Sequence, residues 1–339
     1  MLKISKNKDL KNYNTFNLPC IADKFIEFDS VEDIKEFLEV FSVEKNKYFV
    51  LGGGSNVLFS SEFKGFVFYS QISGIELISE GEEGVLLRIG SGVVWDSFVK
   101  YTVDNNYYGT ENLSIIPGTV GASAVQNIGA YGAEAKDIIE KVEYLDIDTA
   151  ELKVITNKDC NFAYRDSIFK NELHNKIIIT HVYYRLQKQA EFKLDYGNLK
   201  EVLKQYDEIN LKTVREAVIQ TREAKLPDTE KLGNAGSFFK NPVITKAEFE
   251  KLQKQYPNIP NYPLKNEMVK IPAGWLIDNA GWKNKGTERV GVYQNQALVI
   301  VNKANAESAD IINFYKKIQA DILLKYKINI EPEIIILAL

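Results

Sequence analysis

The sequence predicts a mixed α+β fold that is divided into more than one domain. With 339 residues, the chain is longer than a single hydrophobic core usually organises. Short apolar runs that are typical of strands alternate with segments in which apolar residues recur at helical spacing. A helical pattern also ends at Leu226-Pro227, because the residue before a proline is pushed out of the α region. The sequence pattern of the chain changes at the same place. We therefore expect a domain boundary near residue 226.

The first predicted elements are a helix and two strands. Ser30 and Asp33 form a helix start that is similar to a capping box. The apolar residues of this helix fall on one face: Val31, Ile34, Leu38 and Phe41. Residues 48–51 form a short apolar strand that stops at three glycines, and residues 65–69 form the next strand.

A second group of elements precedes the expected boundary. Residues 85–89 read as a strand, and an amphipathic helix follows it, with apolar positions at Trp95, Phe98, Val99 and Thr102. Residues 141–147 and 177–186 have the pattern of paired antiparallel strands, with an irregular stretch at 160–170 between them. A further helix has its apolar positions at Leu211, Val214, Val218 and Thr221.

The region after residue 226 is predicted to contain three helices. One follows a capping box from Thr245 to Glu248, and one begins at Ala273. The third is long and has apolar positions at Ile311, Phe314, Ile318 and Ile322. Residues 257–263 read as a loop and residues 297–301 as a strand.

The chain is predicted to close on a strand over residues 328–337 that carries two acids. Glu331 and Glu333 lie two positions apart, so on a strand they would point to the same face. Their apolar neighbours at 334–337 would favour a protonated carboxyl, which is a form that catalysis can use. The alternative is that both acids are solvated at the start of the strand.

Composition and charge exclude several classes of protein. A net charge of −4 with interspersed lysines and acids gives no basic face for nucleic acid, and no apolar run is long enough to span a membrane. His174 and His181 are the two histidines, which is little material for a histidine metal site or a Ser-His-Asp triad. Cys20 and Cys160 lie far apart and are expected to be buried thiols. The N-terminal residues lack the apolar core of a secretory signal, so we expect a cytoplasmic protein.

Two glycine-rich segments give the strongest indication of a ligand. Residues 52–56 follow a strand, and residues 116–132 are too polar for a core strand and too rich in glycine for a stable helix. Glycine lets backbone N–H groups approach an anion or a flat ring. The first segment alone could be a surface turn, but the second favours a ligand with phosphates. Val57 stands where a Rossmann fingerprint needs glycine and no Walker sequence is present, which excludes both motifs.

Single polar residues add candidate chemistry. Arg165, in Tyr164-Arg165-Asp166-Ser167, could clamp a carboxylate or an enolate, or it could form a surface ion pair. Ser237 lies beside two phenylalanines and could donate a proton, or it could bond its own backbone. No histidine is near it in sequence, which argues against a serine nucleophile. Five further residues are suited to bind phosphates or sugar hydroxyls: Lys225, Tyr196, Asn241, Tyr262 and Lys283.

Several motifs follow one another along nearly the whole chain: Asn14-Thr15-Phe16, residues 52–58, 116–121, 126–132, 164–167, 233–242 and 273–277, and Glu331-Pro332-Glu333. This ordered set resembles the UDP-N-acetylenolpyruvoylglucosamine reductases, the flavoenzymes that complete UDP-N-acetylmuramate in bacterial peptidoglycan synthesis. Tyr196-Gly197 and residues 238–242 look like the type I form of the family, in which a tyrosine loop covers the substrate. The resemblance implies a cytoplasmic enzyme of cell-wall biogenesis, and hence of cell shape and cell division.

The resemblance also implies an architecture and its ligands. An FAD-binding two-domain unit of the vanillyl-alcohol-oxidase (PCMH) type would be joined to a C-terminal α+β substrate-binding domain. The first FAD-binding subdomain would comprise residues 1–75 with the tail strand 328–339, the second residues 76–226, and the substrate-binding domain residues 227–327. FAD would be the cofactor, NADPH the co-substrate and a UDP-sugar the substrate. Apart from the resemblance, we expect a monomer that binds no metal, no nucleic acid and no membrane.

Carried across by motif, the catalytic residues would be Arg165, Ser237 and Glu333, with Glu331 as an alternative carboxyl. Arg165 and a protonated Glu333 would stabilise an enolate, and Ser237 would protonate the adjacent carbon. The substrate contacts would be Tyr196, Lys225, Asn241, Tyr262 and Lys283, with Lys285 as an alternative to Lys283. The cofactor contacts would be Gly52, Gly53, Gly54, Ser55, Asn56, Ile116, Pro117, Gly118, Thr119, Gly121, Ala122, Gln126, Asn127, Ile128, Gly129 and Gly132.

Two other functions fit parts of this pattern. A flavin oxidase or dehydrogenase of the same FAD-binding fold would share the glycine-rich segments but would not need the Gly236-Ser237 block or the tail glutamate. A nucleotide-sugar binding protein without turnover would use the region after residue 226 as a sensor. The binding protein differs from the reductase because it needs no flavin, and the oxidase or dehydrogenase differs because it does not use the enolpyruvyl sugar.

Overall fold

The computed structural model describes residues 1–41, 46–60, 62–82 and 84–337. The strands of the described chain are β1 (Lys3–Asp9), β2 (Ile21–Phe28), β3 (Tyr48–Leu51), β4 (Val57–Phe59), β5 (Phe63–Ser70), β6 (Ile75–Glu80), β7 (Gly84–Gly90), β8 (Gly129–Ala130), β9 (Ala133–Glu134), β10 (Ile139–Asp146), β11 (Leu152–Thr156), β12 (Ile177–Gln187), β13 (Gly233–Ser237), β14 (Val243–Thr245), β15 (Tyr262–Pro263), β16 (Met268–Lys270), β17 (Val290–Val292), β18 (Val299–Asn302) and β19 (Ile335–Leu337). The α-helices are α1 (Val31–Val40), α2 (Trp95–Asp104), α3 (Val120–Val125), α4 (Leu199–Leu203), α5 (Leu211–Lys225), α6 (Lys246–Gln255), α7 (Ala273–Asn279) and α8 (Ser308–Tyr326).

The chain divides into two units, and each is built from more than one segment. The first unit comprises residues 1–8, 22–53 and 64–223. The second comprises residues 9–21, 54–63 and the chain from Ala224 onward. The division after Glu223 lies close to the expected boundary near 226, whereas the tail strand belongs to the second unit by its contacts. The division into domains 1–75, 76–226 and 227–327 stays a prediction.

The first unit contains a four-stranded sheet in the order β1-β2-β5-β3, in which β3 and β5 are parallel. Helix α1 begins at Ser30, whose hydroxyl accepts a hydrogen bond from the backbone N–H of Asp33, as the capping pattern predicts. Ile34 and Leu38 of α1 are buried in a cluster with residues of this sheet. The predicted helix and both predicted strands are therefore confirmed.

A five-stranded antiparallel sheet, in the order β11-β10-β12-β7-β6, forms the rest of this unit's framework. The predicted pairing of two long strands is confirmed, because β10 and β12 are antiparallel neighbours. Helix α2 packs its predicted apolar face on the sheet, where Trp95 and Phe98 lie within 6 Å of the Tyr184 ring, at 5.9 and 4.8 Å between centroids. Cys160 is buried in the same core, and burial raises the pKa of its thiol to about 12.

The second unit contains two three-stranded antiparallel sheets, β13-β18-β17 and β14-β16-β15, and a parallel pair of β19 with β4. Its core is closed by α8, whose four predicted apolar positions are all buried. Helix α6 begins with the predicted capping box, in which Thr245 and Glu248 exchange side-chain to backbone hydrogen bonds. Cys20 is also buried in this unit, and burial raises the pKa of its thiol to about 11.

The prediction of a closing strand over residues 328–337 is wrong in its extent. In the described chain only Ile335–Leu337 is a strand, and its partner β4 is itself only three residues long, so the parallel pairing cannot continue further. Pro332, which has no N–H to donate, makes only an isolated bridge with Phe239. Glu331 and Glu333 therefore do not share one face of a regular strand; Glu331 is exposed and Glu333 is half-buried.

A buried ionic cluster in the five-stranded sheet makes the stability of the first unit dependent on pH. Glu143 is 5% exposed and its carboxylate lies 2.7 Å from His181 Nδ1, 2.8 Å from Thr180 Oγ1 and 3.1 Å from Arg88 Nη2. Burial alone would raise the pKa of Glu143, but the hydrogen bonds from His181, Thr180 and Arg88 outweigh this effect and lower the pKa to about 2. Because this folded-state pKa lies below the unfolded value, the stabilisation is complete above about pH 4.5 and is lost as the pH falls towards 2.

We expect Glu143→Gln to lower the Tm at pH 7 by about 5–10 °C, because Arg88 and His181 lose the charge that they surround. The variant should also lose less stability than the wild type when the pH is lowered from 5 to 3. Thermal unfolding followed by circular dichroism across this range measures both effects. Glu76→Gln is the matched control, since Glu76 is 60% exposed and lies 3.3 Å from the same Arg88. An equal effect of the two substitutions would contradict the prediction.

Candidate active site

The two glycine-rich segments meet in the first unit. A Cβ atom on Gly53 would lie 2.6 Å from Gly118 Cα, and one on Gly52 would lie 2.9 Å from Ala122 Cβ. Contacts this short do not occur between real side chains and backbone, so only glycine permits this approach. The sequence prediction that these segments act together is therefore supported for Gly52, Gly53, Gly118 and Ala122.

The backbone of the second glycine-rich segment is fixed by its neighbours. The N–H of Gly121 donates to the carbonyl of Ser91, and the N–H of Val120 donates to the carbonyl of Val93. A Cβ on Gly121 would lie 2.9 Å from Ser91 Cβ, so the glycine again permits a close approach. Thr119 precedes the short helix α3 and is buried. The segment is thereby held against the loop that follows β7.

Asn127 connects the far end of this segment to the turn that carries Arg165. Its buried side chain donates from Nδ2 to the carbonyl of Ala163 at 2.8 Å and accepts at Oδ1 from the N–H of Lys136 at 3.0 Å. These bonds give Asn127 a scaffolding role, and its predicted contact with the cofactor stays a prediction. Ile128 and Gly129 follow it, and Gly129 begins the short hairpin of β8 and β9.

Arg165 lies against this hairpin. Its Nη2 donates a hydrogen bond of 2.7 Å to the carbonyl of Gly129, and its own backbone has a left-handed φ of 56°. Lys170 Nζ donates to the carbonyl of Arg165 at 2.9 Å, which fixes the turn further. The structure thus brings the predicted catalytic arginine to one of the predicted cofactor residues.

Helix α5 contributes two arginines that the sequence analysis missed. Arg222 is half-buried, and in the part of the chain that the structure describes its Nε has no hydrogen-bond partner. Burial lowers the pKa of Arg222; the nearby Tyr131 opposes this shift, and the charge of Arg165 adds to it. Arg215 lies roughly two helical turns earlier on the same side of α5. In the sequence, the spacing of Arg215 and Arg222 beside the apolar positions of the helix was the signal that could have identified them. Arginines on exposed helix faces often show the same spacing.

In the second unit, the segment that follows Ser237 pairs through its main chain with the segment that contains Glu333. Ser237 ends β13 after Gly236, which has a left-handed φ of 66°. The next residue, Phe238, accepts a hydrogen bond of 2.8 Å at its carbonyl from the N–H of Glu333. The N–H of Lys240 donates to the carbonyl of Glu331 at 2.9 Å, so that the two segments run side by side. Main-chain hydrogen bonds therefore hold residues 238–240 alongside residues 331–333, next to Ser237 in the chain.

The remaining residues of the first glycine turn lie in this second unit. Gly54 has a left-handed φ of 64°, and a Cβ there would lie 1.9 Å from the carbonyl oxygen of Tyr13. Asn56 accepts at its carbonyl from the N–H of Ile335 at 2.9 Å, and its Nδ2 lies 3.5 Å from the Glu333 carbonyl. Ser55 and Asn56 thus lie next to the segment that carries the predicted catalytic glutamate.

The predicted substrate residues are placed in different ways. Tyr196 is 57% exposed and packs edge-to-face on Tyr131, with 6.1 Å between ring centroids. Tyr262 is 51% exposed and has Lys270 Nζ at 5.4 Å from its ring centroid. Lys225 is exposed at the end of α5.

The other two predicted substrate residues have contacts within the fold. Asn241 Oδ1 accepts from the N–H of Ala273 at the start of α7 at 2.9 Å. Lys283 is exposed and pairs with Asp278 at 3.2 Å. The choice between Lys283 and Lys285 as a substrate contact stays open.

In a comparison with known proteins, two domain models match different parts of the chain. Residues 22–155 match the model of an FAD-binding domain, and residues 227–337 match the model of the C-terminal domain of UDP-N-acetylenolpyruvoylglucosamine reductase. The UDP-N-acetylenolpyruvoylglucosamine reductase of Bacteroides fragilis is 44% identical over 96% of this chain and 97% of its own length. The chain belongs to the UDP-N-acetylenolpyruvoylglucosamine reductase family.

Further members of the reductase family agree in length and identity. The enzyme of Flavobacterium johnsoniae is 44% identical over 98% of this chain and 99% of its own length. The solved structure of the Thermus caldophilus reductase has a TM-score of 0.68 at 21% identity, covers 100% of this chain and 99% of that chain, and shows the same fold. These comparisons confirm the predicted fold class, an FAD-binding unit with a C-terminal α+β domain. They also confirm the prediction that the chain is a flavoprotein oxidoreductase.

The residues of the first unit fit the cofactor that the family requires. A glycine-built backbone and a half-buried guanidinium at Arg222, with Nε unpartnered among the described residues, form a donor set for an anion such as the FAD pyrophosphate. Among residues 1–41, 46–60, 62–82 and 84–337, no group of three or more metal-binding side chains is found. No helix in these ranges is long and apolar enough to cross a membrane.

Proposed function

We propose that the chain reduces UDP-N-acetyl-3-O-(1-carboxyvinyl)-glucosamine to UDP-N-acetylmuramate, with NADPH as the reductant and FAD as the carrier. The observation that supports the proposal is the main-chain pairing of the segment after Ser237 with residues 331–333, within the region that matches the reductase C-terminal model. Reduction of an unsaturated acid needs a proton donor and a group that stabilises negative charge, and we assign these roles to Ser237 and Glu333. We further propose that the enzyme acts as a cytoplasmic monomer.

FAD, when bound, would supply hydride chemistry for the terminal methylene carbon of the enolpyruvyl group, with NADPH as the source of the electrons. The electrons displaced from the double bond then reside on the substrate carboxylate as an enolate. We assign Arg165 and a protonated Glu333 to stabilise this charge as it develops, which is where binding contributes to rate. Ser237 donates a proton to the adjacent carbon and recovers one from solvent, so that the substrate gains one hydride and one proton and NADPH becomes NADP⁺.

Five side chains are proposed to hold the substrate: Tyr196, Lys225, Asn241, Tyr262 and Lys283. The two tyrosines are more than half exposed, so their rings can contact a ligand without leaving a packed core. The lysines offer charge to the diphosphate. We propose that the cofactor residues named in the sequence analysis contact FAD. Close packing of the backbone at Gly52, Gly53 and Gly118 supports this proposal.

Anaerobic stopped-flow measurement of the two half-reactions tests this function. NADPH should bleach the flavin absorbance, and the enolpyruvyl UDP-sugar should restore it. A flavin oxidase or dehydrogenase of similar fold would instead be reduced by an alcohol or a hydroxy acid. A sugar-binding protein without turnover would stay colourless after FAD is added. Failure of the enolpyruvyl sugar to reoxidise the reduced protein would reject the proposed reaction.

A further inference from the structure

Ile115 has a backbone conformation that isoleucine rarely adopts. Its φ is +49°, in the left-handed region where a β-branched side chain crowds its own backbone. The residue immediately precedes Ile116-Pro117-Gly118, the start of the second glycine-rich segment. Strain of this kind persists only where the surrounding structure enforces it, and it concentrates at functional sites. The contacts that enforce it are therefore informative.

Helix α2 holds both sides of this turn from consecutive residues. Trp95 Nε1 donates to the carbonyl of Leu113 at 2.8 Å, and Asp96 Oδ1 accepts from the N–H of Ile115 at 2.6 Å. The N–H of Trp95 also donates to the carbonyl of Gly118 at 3.0 Å. The start of α2 thus fixes the chain from residue 113 to residue 118.

Asp96 is itself fixed by Arg215 of α5. The two groups form a bidentate ion pair, with Nη1 to Oδ1 and Nη2 to Oδ2 both at 2.7 Å. Arg215 is 12% exposed and Asp96 is 30% exposed, so water screens the pair only in part. Burial raises the pKa of Asp96, but Arg215 and the Ile115 N–H outweigh it and lower the pKa below its usual range. The carboxylate is therefore charged at neutral pH.

We propose that the Asp96–Arg215 pair is a positioning device that keeps the strained turn at Ile115 in the conformation that binds FAD. The pair acts through the turn on Gly118, whose backbone packs against Gly53 in the glycine-built surface. Without the carboxylate, Ile115 would relax towards a negative φ and would carry residues 116–118 away from Gly53. This inference concerns flavin binding and does not depend on which substrate the enzyme reduces.

The test measures the FAD dissociation constant of the apoprotein by flavin fluorescence, together with the Tm of the apoprotein. We expect Asp96→Ala to weaken FAD binding at least tenfold while lowering the apoprotein Tm by only a few degrees. Asp96→Asn, which keeps an acceptor for the Ile115 N–H, should weaken binding less, as should Arg215→Met. Glu140→Ala is the matched control, because Glu140 forms an exposed ion pair with Arg185 in the same unit.

A second variant separates positioning from general stability. Ile115→Gly removes the cost of the positive φ, so in the Asp96→Ala background it should restore part of the FAD affinity. A merely structural ion pair would show no such rescue, because glycine cannot replace its contacts. Wild-type FAD affinity in Asp96→Ala, or a loss of affinity that Ile115→Gly does not reduce, would overturn the proposal. If Asp96→Ala does not fold, the comparison of Asp96→Asn with Asp96→Asn/Ile115→Gly decides in the same way.

Discussion

Replacing Ser237 by alanine is expected to slow reduction of the enolpyruvyl sugar about 10²–10⁴-fold, the range that a positioned proton donor usually contributes. Reduction of the flavin by NADPH should proceed at the wild-type rate, because no proton from Ser237 enters that half-reaction. Ser237 lies at the end of β13 beside the Glu333 segment, so alanine removes a hydroxyl without removing a main-chain contact. The two half-reactions, measured separately by stopped-flow absorbance, give the two rates.

Ser79→Ala is the matched control for this experiment, since Ser79 is an exposed serine on the edge strand β6. It should leave both half-reactions unchanged. An equal loss of both half-reactions in Ser237→Ala would show that the hydroxyl supports the fold or the flavin rather than proton transfer. An unchanged rate of sugar reduction would remove Ser237 from the mechanism altogether.

Gly53→Ala is expected to weaken FAD binding by at least roughly tenfold, because a methyl group placed 2.6 Å from Gly118 Cα forces two backbone segments apart. Gly53 has no left-handed φ, so the effect is steric and not conformational. Titration of the apoprotein with FAD, followed by flavin fluorescence, measures the dissociation constant. Purified Gly53→Ala should also be paler than the wild type at equal protein concentration.

Gly81→Ala provides the control for a glycine that has open space around it. Among the residues that the structure describes, a Cβ on Gly81 would meet no atom within 4 Å, and the φ of Gly81 is not in the left-handed region. The substitution should leave FAD affinity unchanged. If Gly53→Ala bound FAD as tightly as the wild type, the close approach of the two glycine-rich segments would not be required for the cofactor.

Local signals were sufficient for most of the secondary structure. Ser30 and Thr245 carry side chains that satisfy the N–H groups at a helix start, so α1 and α6 begin where the capping patterns predict. The apolar positions of α2 and α8 were also readable, because burial of one helix face imposes a spacing of three or four residues. Such signals depend on neighbours within a few positions of the chain.

The parts that were missed depend on contacts between distant residues. The end of the closing strand is set by the length of β4, which the residues at 328–334 do not reveal. Arg215 and Arg222 differ from surface arginines only by what faces them, and that is decided by the packing of α5. From the sequence, only the family motifs assigned Ser237 and Glu333 to the same site, because no local pattern links two residues so far apart in the chain.

The main-chain pairing of Phe238 with Glu333 fixes the backbone at residues 238 and 333 independently of the side chains that are carried there. Backbone amides and carbonyls make these hydrogen bonds, and every residue except proline carries both. Side chains at 237 and 333 can therefore be exchanged while their anchoring points stay where they are. This pair of adjacent segments is therefore suited to protein engineering, in which a thiol could replace the hydroxyl of Ser237 or an amide the carboxyl of Glu333.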